Sequence, residues 1–187
     1  MSQYEKGVKM KNIYVLTGMS GVGKTSVINE ILKTGSFCYP KMYTTRPIRE
    51  HIIDGKIHID EDSYAKLPYK IVEFIYNQYK YAITESEVQK ANIFDLAPSG
   101  FRSLKENYNG DKKIIIIYIW IDEYERIKRM KERGENEENI YSRLQYEKIE
   151  YQNIEEAVDY TIKNDDFKKC VNKILSIITL NENINAN

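Results

Sequence analysis

Apolar positions along this chain alternate between short continuous runs and stripes of helical period. The run Asn-Ile-Tyr-Val-Leu-Thr at 12–17 predicts a β-strand, and Val27, Ile28, Ile31 and Leu32 recur at helical spacing over 25–33, with a glycine-rich stretch between the two. Residues 92–96 predict a second buried strand. The segment 113–121, almost all isoleucine and aromatic, predicts a third that is covered on both faces, because a strand with one wet side would interpose polar residues. Helical periodicity over 124–133 and 139–158, a last strand at 159–163 and a helix over 167–178 complete an alternation that predicts a parallel α/β sheet. Between the first helix and the 92–96 strand, hairpin-like pieces at 70–76 and 79–84 mark an insert, and 180–187 is expected to fray. Pro40, Pro47, Pro68 and Pro98 are scattered, and no repeat or linker divides the chain, so one domain is expected.

Composition narrows the partners. The 187 residues carry 28 basic and 28 acidic side chains, so no global field would hold the protein on nucleic acid or an anionic membrane. No apolar run reaches the roughly 20 residues that span a bilayer. The N-terminal stretch is polar and charged, and a cytoplasmic location is expected. Cys38 and Cys170 have no second cysteine or histidine at metal-ligand spacing, which predicts two reduced thiols rather than a disulfide or zinc site.

The glycine-rich stretch carries the sharpest chemistry. Gly18-Met-Ser-Gly-Val-Gly-Lys-Thr25 matches G-x-x-x-x-G-K-[ST] between a predicted strand and a predicted helix. In that context the backbone N–H groups wrap a phosphate at the positive end of the helix dipole. Gly18, Ser20, Gly21, Val22, Gly23, Lys24, Thr25 and Ser26 are therefore the expected nucleoside triphosphate site, with Lys24 reaching the β- and γ-phosphates and the Thr25 hydroxyl placed for Mg²⁺. Asp95 ends a buried strand at the carboxyl edge, where open α/β sheets place their sites, and is a second candidate on the Mg²⁺ side. Arg46 and Arg49 stand three apart in a basic stretch, and a phosphate between them would relieve their repulsion. Arg126, Arg129 and Arg133 share one helix face, suited to a lid closing on phosphates, with Glu125 and Glu132 as candidate neutralising partners.

The order of motifs from 12 to about 178 resembles the guanylate kinase family of nucleoside monophosphate kinases. Thr44-Thr-Arg46-Pro-Ile-Arg49 is similar to that family's T-T-R-x-P-R, and Tyr79-Lys-Tyr-Ala82 to its N-x-Y-G turn. Arg129-Met-Lys-Glu-Arg133-Gly134, followed by Arg143-Leu144, looks like its lid, and Asn164-Asp165-Asp166 like its N-D-D turn. The resemblance implies an α/β fold: a P-loop NTPase three-layer sandwich with a parallel central sheet, an inserted acceptor-binding region and a helical lid. It implies a kinase domain over 12–179, with a core at 12–35 and 90–179, an insert at about 36–89 and a lid at about 126–145, flanked by tails at 1–11 and 180–187. It also implies ATP and Mg²⁺, catalytic roles for Lys24, Arg46, Arg129 and Arg143, nucleotide contacts from Arg133 and Asn164, and acceptor contacts from Arg46, Arg49, His58 and Tyr81.

The resemblance fails where the family reads guanine. Its serine or threonine four residues before the first arginine is Met42 here, its middle-strand glutamate falls on Val72 or Glu73 depending on register, and its second aspartate is Ala97. The phosphate-directed residues survive and the base-directed ones do not. The expected activity is ATP-dependent phosphoryl transfer to a small phosphorylated acceptor, GMP by resemblance, with a different nucleotide or a phosphorylated sugar as the alternative acceptor. A non-catalytic binding module related to the family is the rival from another class, and the intact Lys24-Thr25 argues against it. No nucleic acid or membrane partner is expected, and the protein is expected to be a monomer or homodimer.

Overall fold

The computed structural model describes residues 10–48 and 55–184. In chain order the elements are β1 (Asn12–Thr17), α1 (Lys24–Leu32), β2 (Tyr43–Thr44), β3 (Ile57–His58), α2 (Glu61–Ala65), β4 (Lys70–Tyr76), β5 (Tyr79–Thr84) and α3 (Glu85–Lys90). They continue as β6 (Ile93–Asp95), α4 (Pro98–Asn107), β7 (Lys113–Trp120), α5 (Glu123–Glu132), α6 (Glu137–Glu150), β8 (Tyr160–Lys163) and α7 (Phe167–Ile184), with a 3-10 turn at Ile154–Ala157 before β8.

The central sheet is parallel, in the order β6-β1-β7-β8. Its apolar strands are explained by burial on both faces. Tyr14 and Leu16 of β1, with Ile115, Ile117 and Ile119 of β7, pack against α1 and α7. Ile13 and Val15, with Ile116 and Tyr118, pack on the other face against Phe101 and Leu104 of α4 and the aromatic side of the insert. The result is the expected three-layer sandwich. The register Leu16↔Asp95 sets the carboxyl ends of β1 and β6 side by side, which brings Asp95 next to the loop that leaves β1.

The insert is a second sheet in the order β3-β2-β5-β4, with β4 and β5 forming an antiparallel hairpin at the bounds that alternation predicts. Within the hairpin Phe74 pairs with Tyr81 and Val72 with Ile83. Val72 is buried among Met42, Phe74 and Tyr81, whereas Glu73 points outward and pairs with Lys70 at 3.6 Å.

Two boundaries differ from the sequence reading. The helix expected over 139–158 ends at Glu150, because Asn153 adopts a left-handed conformation (φ +54°) that asparagine tolerates and a helix does not. The last helix does not stop at 178, and 180–184 does not fray. It runs to Ile184, and the Glu182 carboxylate accepts hydrogen bonds from the Lys11 N–H (2.9 Å), the Asn12 amide (2.9 Å) and the Tyr14 hydroxyl (2.8 Å), clasping the start of β1. No helix among the described residues is long and apolar enough to cross a membrane.

Candidate active site

The loop from Gly18 to Thr25 turns out of β1 and into α1, so the free N–H groups of the helix start face the concavity. Its shape needs glycine at Gly21 (φ +83°) and Gly23 (φ +92°). A Cβ at the first would lie 2.6 Å from the Arg126 carbonyl oxygen, and at the second 2.7 Å from Asn164 Nδ2. The Lys24 ammonium folds back to donate to the Gly18 carbonyl and stands 4.0 Å from Asp95 Oδ1. Thr25 and Ser26 are exposed on the first turn of α1. Asn164, at the end of β8, donates to the Val22 carbonyl at 2.7 Å, and Arg129 reaches the carbonyls of Val22 (3.5 Å) and Asn164 (3.2 Å). The arginine on α5 is thereby anchored at the back of the loop by groups from α1's entry and β8's exit.

Beneath the loop lies a buried ion pair that the sequence did not reveal. The side chains of Arg126 on α5 and Glu147 on α6 are 5% and 1% exposed. Arg126 Nε donates to the Ser20 carbonyl at 2.8 Å, and the Ser20 N–H donates to Glu147 Oε1 at 2.6 Å. Tyr151, a buried residue, donates to the Gly18 carbonyl at 2.8 Å, and burial pushes its hydroxyl well above its ordinary pKa, so it remains a donor. A buried polar residue on a charged helix looks like a solvated one in sequence, which is why neither Arg126–Glu147 nor Tyr151 was legible there.

A cavity of about 250 Å³ lies between the β4–β5 hairpin and α6. Arg46, Tyr76, Tyr79 and Tyr81 line one wall, and Glu135, Asn139 and Arg143 the other. Arg46 NH1 donates to the Tyr81 hydroxyl at 3.4 Å, and the Tyr81 ring stacks on Phe74 with centroids 5.2 Å apart. Arg143 lines this cavity and also donates from NH1 to Ser20 Oγ at 3.2 Å, so a single guanidinium touches both the glycine loop and the cavity.

Several residues sit differently from expectation. His58 places Nδ1 2.6 Å from the Arg46 carbonyl oxygen and braces the loop carrying that arginine. Arg133, expected at the nucleotide, pairs with Glu135, whose carboxylate also lies 3.4 Å from Arg143 Nε. Neither Glu125 nor Glu132 neutralises the lid arginines: Arg126 is met by Glu147 and Arg133 by Glu135. Arg49 and His51 lie outside the described residues. Ala97 caps α4 ahead of Pro98, and the Ser99 N–H of that first turn donates to Glu150 at 2.7 Å. Asn136 accepts from the Asn139 N–H at 2.8 Å and caps α6, as its position suggests.

Among the described residues no group of three or more histidine, cysteine, aspartate or glutamate side chains could hold a metal by itself. The oxygens that the sequence singles out for the metal are the Thr25 hydroxyl and the Asp95 carboxylate, the latter 19% exposed. That sparse oxygen set fits Mg²⁺, an ion that takes one or two protein oxygens and fills the rest of its shell with phosphate and water.

Fold and site together define the class: a P-loop phosphotransferase, with its triphosphate cradle at the carboxyl edge of a parallel sheet. Comparison with known proteins is specific. Residues 10–181 match the family model described as guanylate kinase. The chain is 32% identical over 188 residues to the guanylate kinase of Rickettsia prowazekii (strain Madrid E), covering 91% of this chain and 93% of that protein. It is 31% identical over 191 residues to that of Clostridium tetani (strain Massachusetts / E88), covering 94% and 86%. Its fold is similar to the crystal structure of guanylate kinase from Anaplasma phagocytophilum, with a TM-score of 0.70 at 19% identity over 92% of this chain and 87% of that one. The chain belongs to the guanylate kinase family and is an ATP-dependent phosphotransferase.

Proposed function

We propose that this protein transfers the γ-phosphoryl group of ATP to the phosphate of a nucleoside monophosphate, and that the acceptor is GMP. The observation that carries the reading is Arg143, which bonds to Ser20 in the phosphate loop at 3.2 Å while lining the cavity that holds Arg46 and Tyr81. One cation is then shared by donor and acceptor, where negative charge gathers as the phosphoryl group moves between them. The proposed acceptor is the substrate after which the relatives from Rickettsia prowazekii and Clostridium tetani are named.

In this reading the backbone N–H groups of Gly21 to Thr25 and the Lys24 ammonium hold the β- and γ-phosphates, with Ser26 and Asn164 at the edge of the cradle. Arg46 and Tyr81 hold the acceptor phosphate, joined by Arg49 and with His58 bracing Arg46. An acceptor phosphate oxygen is already anionic, so no general base is required. That oxygen bonds to the γ-phosphorus as the bond to the bridging β–γ oxygen breaks, and ADP leaves. Arg129 and Arg143 stabilise the charge spread over the transferring oxygens, and Arg133 joins them when phosphate displaces Glu135. Thr25 and Asp95 would hold Mg²⁺, whose contribution is neutralisation of phosphate charge.

An ADP-release assay with ATP, Mg²⁺ and GMP, AMP, CMP or UMP in turn tests this. Turnover is expected with GMP. Turnover with a pyrimidine monophosphate alone, or with none of the four, would contradict the assignment.

A further inference from the structure

A single carboxylate oxygen joins the two halves of the site. Glu147 Oε1 accepts both the Ser20 N–H of the phosphate loop, at 2.6 Å, and the Tyr76 hydroxyl from the acceptor wall, at 2.9 Å, while Oε2 faces Arg126. Tyr76 lines the acceptor cavity, and its ring meets Tyr81 edge-on with centroids 6.4 Å apart. The Tyr81 hydroxyl accepts from Arg46. A continuous set of contacts therefore runs from Arg46 through Tyr81, Tyr76 and Glu147 to Ser20.

We propose that Glu147 is a positioning residue that transmits the placement of the Tyr76 wall to the phosphate loop, so that the acceptor side sets the affinity of the donor side. This rests on the phosphate loop being the ATP site, as proposed above. The Ser20 backbone is held at both ends, its N–H by Glu147 and its carbonyl by Arg126, so a shift of the carboxylate moves the loop backbone. A buried carboxylate behind a phosphate cradle also opposes a bound polyanion unless its charge is balanced. Here the balance comes from Arg126 and from the two hydrogens donated to Oε1. Loss of the Tyr76 hydroxyl leaves that oxygen with one donor, making the loop's floor more negative and less fixed. Both effects weaken the donor site, although Tyr76 lies on the acceptor wall.

A buried ion pair is by itself poor evidence of a stabilising role, and a purely structural one would change unfolding and leave ligand affinity alone. The test separates these. The Kd of a fluorescent ADP analogue, without acceptor and well below the unfolding temperature, is measured for the wild type, Tyr76→Phe, Glu147→Ala, Glu147→Gln and Tyr146→Phe. Tyr76→Phe keeps its ring packing and is expected to weaken the analogue about threefold to tenfold, the scale of one lost hydrogen bond. Glu147→Ala should weaken it further, and Glu147→Gln should recover part of the loss because the amide oxygen still accepts both donors. Tyr146, whose ring packs on Tyr76 at 4.7 Å and whose hydroxyl donates to the Ile75 carbonyl at 3.2 Å, supplies the control: Tyr146→Phe should stay within about twofold. An unchanged Kd in Tyr76→Phe, with the wild type binding normally, overturns the coupling and leaves the ATP site standing. Failure of the wild type to bind the analogue overturns both.

Discussion

The Lys24 ammonium stands 4.0 Å from the Asp95 carboxylate, at the point where the ends of β1 and β6 meet. Their side chains are 16% and 19% exposed, so the contact is partly screened and contributes little to stability. Its significance is positional: it sets a cation and a carboxylate together beside the glycine loop, where a metal-bound triphosphate would lie. Asp95→Asn should therefore raise the Mg²⁺ concentration needed for half-maximal rate and lower kcat, with a thermal midpoint close to that of the wild type. A midpoint collapse with unchanged Mg²⁺ dependence would show that Asp95 is structural.

Gly21→Ala should damage both loop and fold. The backbone there is left-handed at φ +83°, and the added Cβ would meet the Arg126 carbonyl at 2.6 Å, a backbone atom that cannot move aside easily. Strain of this kind costs about 1–3 kcal/mol. Chemical denaturation should show that loss, and ATP affinity should fall with it because the N–H groups lose their common focus.

Discrimination between purine monophosphates should be weak. The inward position on β4 is Val72, buried with Met42 and Phe74, and Glu73 faces out to Lys70. By the resemblance, Met42 and Val72 would occupy positions that read guanine in the family, and neither side chain can hydrogen-bond a base. A site built to bond such groups rejects analogues lacking them by about 10⁴-fold or more. The ratio of kcat/KM for GMP over AMP should lie below about 100-fold, in the range of apolar pockets, and steady-state kinetics with both acceptors measures it directly.

The Glu182 clasp predicts an acid-sensitive contribution to stability. Burial acts to raise the Glu182 pKa, but hydrogen bonds from the Lys11 N–H, the Tyr14 hydroxyl and the Asn12 side chain and N–H together hold it below its ordinary 4.5. A depressed folded-state pKa means that the carboxylate stabilises the fold above the unfolded value and loses that contribution as pH falls through the folded one. Glu182→Gln should lower the denaturation midpoint at neutral pH, and the difference from wild type should shrink as pH falls below the ordinary glutamate value of 4.5.

These residues also mark how far the sequence could be read. The phosphate loop and the hairpin of β4 and β5 were legible because each rests on local physics, a glycine motif between strand and helix and an alternation broken by a turn. Val72 or Glu73 could not be chosen, since register depends on pairing with Ile83 and Ala82 across the turn. Arg126 looked like part of a lid face turned to phosphate and is instead buried on Glu147, because a charge satisfied by a residue 21 positions away carries no local signature. The end of α7 looked like a polar tail for the same reason: Glu182 finds its partners at residues 11, 12 and 14, at the other end of the described chain.

The most direct measurement is transfer of label from γ-³²P ATP in the presence of Mg²⁺ and GMP, for the wild type, Lys24→Ala and Arg143→Ala. Labelled GDP should form with the wild type, fall by at least about a hundredfold in kcat with either variant, and leave the thermal midpoint of Arg143→Ala close to wild type. Wild-type protein that binds ATP yet labels no GDP, or an Arg143→Ala variant that transfers at the wild-type rate, would contradict the assignment of a shared cation between donor and acceptor.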